Sequence, residues 1–282
     1  MSAQSPPSTQ PKAASDAPFL TGLMVLSGFY VFLIVAMIVA DLSYTSMDHF
    51  RNALRSPEIQ YSILLSLFSC NVSALLSVGV AIPTGYLMTR YHFKGKSVLD
   101  PILDIPVVLP PLVVGLSLLV LFHTLPGRVF EDWLETTTGT RFTYAVPGVI
   151  LAQFMVACAF AVRTMRATFD QIHPRQEQVA LTLGSTRWQA FRLVVLPQAW
   201  RGVLAAGTIA WARSLGEFGP ILVFAGATRN RTEVMSTTVF LELSIGNIEA
   251  AVAVSVMMVL VAVVVLVVIR SLGRGEAPPG VY

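Results

Sequence analysis

Six long apolar stretches constrain this chain more than any other feature. They cover about 19–40, 59–83, 102–122, 144–162, 203–224 and 248–269. Each has roughly the 20 residues that a helix needs to cross a hydrocarbon core. Composition agrees, since 54% of the 282 residues are hydrophobic and only 12% are charged, against about 25% charge in an ordinary soluble domain. The expectation is an all-α integral membrane protein with about six transmembrane helices.

The formal net charge of +3 reports loop orientation in such a chain rather than a nucleic-acid partner. Both termini are placed inside. The inner segments then hold twelve Lys and Arg residues, the outer loops hold six, and Arg213 lies within the fifth span. That asymmetry predicts a cytoplasmic loop at 163–202. Residues 1–18 are rich in Ser, Pro, Ala and Gln and are expected to be a disordered cytoplasmic terminus. The apolar run that follows is expected to be retained as a first span, not cleaved as a signal. Residues 19–270 form the transmembrane domain in this reading, and 271–282 a short cytoplasmic tail. Cys70 and Cys158 stand far apart in apolar runs, with no metal or redox spacing around them.

Two spans carry internal patterns. Ser62, Ser66, Ser69, Ser73 and Ser77 recur at helical spacing in the second span. Small residues let helix backbones approach closely in lipid, so a packing interface is the favoured reading and a polar pathway wall the sharper alternative. The third span contains IPVVLPPLVVG. Pro106, Pro110 and Pro111 each remove a backbone donor. Irregular backbone at membrane depth needs cover from protein or a water-filled cavity. Pro110 and Pro111 are therefore candidate pathway residues, with a merely kinked packing helix the equal alternative.

The 163–202 loop reads as two short helices. The first spans about 174–183, and Gly184 suits the residue that ends it. Thr186-Arg-Trp-Gln189 fits a capping box that opens the second. Pro197 predicts that the second ends near Leu196. Val179, Leu183, Trp188, Phe191 and Val195 would then need a partner surface. A hairpin lying on lipid headgroups is the bland alternative.

In the fifth span Arg213 and Glu217 stand four residues apart and share a helix face. Charges within a span usually face a bundle interior or a cavity. A structural salt bridge and a pathway role are both open. For an anionic substrate, Arg213 and Ser214 are candidate donors, with Glu217 holding Arg213 in place. Gly216, Gly219 and Pro220 are expected to break the helix just beyond.

The loop resembles the EAA loop of ABC importer permeases, E-A-A-x3-G-x9-I-x-L-P. It aligns here as Gln178, Val179 and Ala180, three residues, Gly184, nine residues, then Val194, Val195, Leu196 and Pro197. Gln178 stands where the family has Glu, Val179 where it has Ala, and Glu177 sits one residue earlier. The segments PVVLPPLVVG, ALTLGSTRWQAFRLVVLP and RSLGEFG together resemble the molybdate/tungstate/sulfate group of permeases, with Pro220 a departure after GEFG. The resemblance implies a type I ABC importer permease, or MetI-like, fold in a bacterial inner membrane. It makes Glu177, Gln178, Ala180, Gly184, Leu196 and Pro197 the ATPase-coupling residues. It implies import of a tetrahedral oxyanion, molybdate first, with sulfate/thiosulfate and tungstate as alternatives. The partners it implies are ABC ATPase subunits, a periplasmic or lipid-anchored oxyanion-binding protein, and a second permease subunit, identical in a homodimer. No cofactor is expected on this chain; ATP and Mg belong to the ATPase, because the chain has no GxxxxGK[ST] motif.

Two rival classes make different demands. A secondary transporter would need no ATPase, and such folds often show inverted repeats, of which the two halves give no convincing trace. A membrane enzyme would need a nucleophile–base pair or metal ligands on facing spans. His49, His92, His123 and His173 instead fall in loops or near span ends, so no catalytic residue and no metal site is expected.

Overall fold

The structure, a computed structural model, describes residues 17–273. The expected polar terminus lies outside the described residues apart from its last two, and the tail apart from its first three. The described residues divide into two units, 17–44 and 45–273. In the first, α1 (Ala17–Tyr44) is one continuous apolar helix, with the length and composition to cross a membrane.

The second unit begins with the amphipathic α2 (Met47–Arg55) and the 34-residue α3 (Pro57–Arg90). It continues through α4 (Lys96–Val108), α5 (Pro111–His123) and α6 (Leu125–Thr138) to the long α7 (Val146–Gln171). A hairpin follows, made of α8 (Pro174–Thr182), α9 (Arg187–Ala190), a π-helical turn at Phe191–Val195, and α10 (Leu196–Gln198). Then come α11 (Trp200–Leu215), a second π-helical turn at Ile221–Ala225, α12 (Met235–Ser244) and α13 (Ile248–Gly273).

The centre of this unit is the mutual packing of α3, α7 and α11. Small side chains make it possible. All five serines of the α3 stripe are buried, as are Ala157 and Ala161 on α7 and Ala206 and Ala210 on α11. Gly85 of α3 meets α7 so closely that an added Cβ would lie 2.9 Å from the Met165 Cβ. Close backbone approach of this kind favours helix association where lipid removes the hydrophobic drive. The favoured reading of the serine stripe, a packing interface, fits this geometry.

Four helices are single crossings by length and composition, and two further candidates are bent pairs. The third expected span is not one straight helix. α4 and α5 meet at 113°. Leu109 (φ −66°, ψ 139°) and Pro110 (φ −54°, ψ 135°) are both extended. Each precedes a proline, whose ring clashes with a helical residue before it. The two prolines in succession thus impose a 113° change of direction rather than a kink. The second bent pair joins 187–198 to α11 at 71°.

Candidate functional site

The α11 end and the α4–α5 break meet at the heart of the second unit. α11 stops at Leu215, Gly216 to Phe218 form the break, and helical backbone resumes at Gly219 and Pro220. Gly219 lies against the break: a Cβ there would sit 3.0 Å from the Leu112 nitrogen and 3.2 Å from Pro111. One helical turn along α5, a Cβ on Gly115 would sit 2.7 Å from the Pro220 Cα. Backbone touches backbone at both points, which is why glycine stands there. Pro110 and Pro111, singled out from the sequence, are therefore neighbours in space of the Glu217–Pro220 segment. Ser236 of α12 donates to the Glu217 carbonyl at 2.7 Å and ties a third element to the same segment.

Arg213 and Glu217 make the expected i,i+4 pair, Nη2 to Oε2 at 3.4 Å. The partners differ sharply in exposure: the Arg213 side chain is 42% exposed and that of Glu217 3%. The Arg213 guanidinium lies over the Phe160 ring of α7, 4.9 Å from its centroid. A guanidinium over an aromatic face is held in position without losing its N–H donors. One long contact to Glu217 leaves most of those donors unspent. Ser214 is a different case. It is fully buried, its hydroxyl donates to Ser73 of α3 at 3.0 Å, and its carbonyl accepts from Gln153 Nε2 at 3.2 Å. One residue of helical rotation from Arg213 thus turns the Ser214 hydroxyl toward α3.

The hairpin begins with His173, whose ring accepts from the Arg175 N–H. Gly184 has φ +90°, the left-handed conformation that glycine adopts freely, and it ends α8 where the sequence predicts. The Ser185 N–H closes this turn on the Ala180 carbonyl at 3.1 Å. The capping box forms in both directions, with Gln189 N donating to the Thr186 hydroxyl and Thr186 N donating to Gln189 Oε1. The end near Leu196 is not observed. The helical path runs on through Pro197 to Gln198, because the π-helical turn at Phe191–Val195 reroutes the hydrogen bonds ahead of the ring.

Within the hairpin, Val179, Leu183 and Trp188 stay exposed, at 56%, 81% and 65%. Phe191 and Val195 do not need an outside partner: Val195 is buried and Phe191 packs on Tyr86, ring centroids 4.6 Å apart. Gln178 and Pro197 are exposed, while Ala180 and Leu196 are half-buried. Glu177 turns the other way and is the one buried residue of α8. It accepts from the Tyr86 hydroxyl and pairs with Arg90 Nε at 3.4 Å. Tyr86, Arg90, Phe160 and Gln153 were not picked out by sequence reasoning. The lone amide of Gln153 in an apolar span was a usable signal; Tyr86 and Phe160 carried none. Among the described residues, no group of three or more His, Cys, Asp or Glu side chains could hold a metal ion.

Apolar helices, two of them broken against each other, and a helical hairpin define an all-α membrane-protein fold. The architecture is that of type I ABC importer permeases. A bacterial alginate ABC transporter crystallised with an alginate-bound periplasmic protein matches at TM-score 0.73 and 22% identity, over 94% of this chain and 98% of that one. The MetNI methionine ABC transporter matches at TM-score 0.57 and 19% identity, over 78% and 98%.

Sequence comparison carries this from fold to family. The chain belongs to the binding-protein-dependent transport system inner membrane components, whose family model matches residues 81–275. It is 31% identical over 221 residues to the sulfate transport system permease protein CysT of Escherichia coli strain K12, covering 78% of this chain and 79% of that protein. It is 35% identical over 192 residues to the molybdenum transport system permease protein ModB of the same strain, covering 66% and 82%. The molybdate/tungstate permease protein WtpB of Pyrococcus furiosus is 31% identical over 207 residues, covering 73% and 74%.

Proposed function

We propose that this chain is the permease subunit of an ATP-driven importer for a tetrahedral oxyanion, with molybdate first and sulfate, thiosulfate and tungstate as the alternatives. The observation that carries the reading is the hairpin: Val179, Leu183 and Trp188 stand exposed on an element braced by its own bundle. Large apolar side chains presented this way gain by docking, and an ATPase subunit is the proposed partner. The hairpin end of the bundle is cytoplasmic, as are both termini. ATP and Mg are held by the ATPase, and an external binding protein delivers the anion. The permeases to which this chain is similar belong to sulfate, molybdenum and molybdate/tungstate transport systems, which supports an oxyanion of this group.

Arg213 is the proposed anion contact. It keeps free donors, a partly open side chain and a fixed position over Phe160. Glu217 balances its charge when no anion is present. Pro110 and Pro111 shape the backbone beside it. A second copy of the chain would bring a second Arg213 to a shared path, giving a dianion two cationic partners.

Uptake into proteoliposomes tests the reading. The chain, its ATPase and its binding protein together are expected to take up labelled molybdate only with ATP, with sulfate and tungstate as competitors that rank the three anions. Uptake driven by an ion gradient without ATP would establish a secondary transporter instead.

A further inference from the structure

We propose that Glu177 is a positioning residue that clamps the hairpin to α3, so that α3 carries movement of the hairpin to the Arg213 site. The proposal rests on the reading of the hairpin as the ATPase dock, and it assigns Glu177 to the inner side of that dock.

A carboxylate is the residue least expected to be the sole buried member of a nine-residue helix. Here its burial is matched by partners. The Tyr86 hydroxyl donates to one Glu177 oxygen, and Arg90 Nε lies 3.4 Å from the other. Both side chains of the ion pair are about a tenth exposed, 9% and 11%. Arg90 Nη2 also donates to the Ile172 carbonyl at 2.7 Å, gripping the end of α7 with the same side chain. The second arm of the hairpin holds the same α3 end: Phe191 packs on Tyr86, and Arg187 Nη1 donates to the Tyr91 hydroxyl at 3.2 Å. α8 is fixed to α3 through Glu177 alone among its buried residues, so this carboxylate decides whether that arm moves with the bundle.

The route onward is α3 itself. It runs as one helix from Tyr86 to Ser73, with Pro83 inside the stretch, about 20 Å at the helical rise. Ser73 meets the Ser214 hydroxyl, the neighbour of Arg213 in sequence. A helix gripped at one end and bonded beside the site at the other carries displacement from one to the other.

Two measurements test the clamp. In the purified full chain, Glu177→Gln is expected to raise amide exchange across 174–198 about tenfold or more, the effect of losing a charged hydrogen bond, with α7 and α11 unchanged. In the complex with ATPase and binding protein, it should leave assembly intact and ATP hydrolysis within about twofold, while transport per ATP falls about tenfold. Glu177→Asp should recover part of that ratio. Trp188→Ala should do the reverse, losing ATPase association and leaving hairpin exchange as it was. Unchanged exchange and unchanged transport per ATP in Glu177→Gln would overturn the proposal. So would loss of ATPase association with exchange unchanged, which would place Glu177 against the partner. Should Glu177→Gln fail to fold, Tyr86→Phe removes only the hydroxyl and carries the same two readouts. If the ATPase never associates with the native chain, the importer reading fails, and the exchange experiment alone decides the clamp.

Discussion

Gly115→Ala should damage the protein far more than a methyl group ordinarily does. The new Cβ would lie 2.7 Å from the Pro220 Cα, 2.9 Å from its carbonyl oxygen and 3.2 Å from its carbonyl carbon. All three are backbone atoms, so no side chain can swing away. α5 and the Glu217–Pro220 segment must separate instead. Overpacking of a tight core costs about 1–3 kcal/mol, roughly a 5- to 150-fold change in a conformational equilibrium. Gly79 provides the control, because nothing lies within 4 Å of a Cβ placed there. Alanine in that exposed helical position should be neutral or stabilising by about 0.5–1 kcal/mol. Thermal unfolding of both variants in detergent, alongside anion uptake in vesicles, separates the cases. Gly115→Ala should unfold earlier and transport poorly, while Gly79→Ala should match the native protein in both. A Gly115→Ala protein as stable and as active as the native one would refute the claim that this crossing is rigid.

Other outcomes follow from the same geometry. Arg213→Ala should abolish uptake while the complex still assembles; normal uptake would remove Arg213 from the path, and disassembly would make it a structural brace. Leu183→Ala and Trp188→Ala should each weaken ATPase recovery in pull-down, since burying a large apolar side chain contributes about 1.5–3 kcal/mol; undiminished recovery would move the dock elsewhere. Gly184→Ala should cost about 1–2 kcal/mol at its φ of +90°, visible as faster proteolysis of the hairpin.

The features legible in the sequence were those set by local chemistry. Apolar length located the crossings, Gly184 and the Thr186–Gln189 box located the hairpin turn, and the serine period located a packed face. The misses came from backbone geometry and from direction. Two prolines in a row were read as a disturbance within one span, yet each forces the residue before it out of the helix, and the sum is a 113° change of course. Pro197 was expected to end a helix, but a widened turn upstream absorbs the missing donor. The sequence places Ser214 beside Arg213 and Glu177 beside the EAA pattern, but not the directions they take, toward Ser73 and toward Tyr86. Which way a side chain turns depends on the neighbouring helix, and no periodicity within one segment contains that neighbour.

α3 has 34 residues, about 51 Å of helix at its normal rise, against a hydrocarbon core of about 30 Å. Some 20 Å of it must therefore stand clear of lipid tails. On the proposed orientation, Tyr86 and Arg90 fall in that overhang, and the joint between hairpin and bundle lies in the headgroup and water layer. Such a joint is insensitive to bilayer thickness, which acts on the crossings, but open to salt and to soluble reagents from the cytoplasmic side. The machine would be adjusted where water reaches it, and would move where water does not.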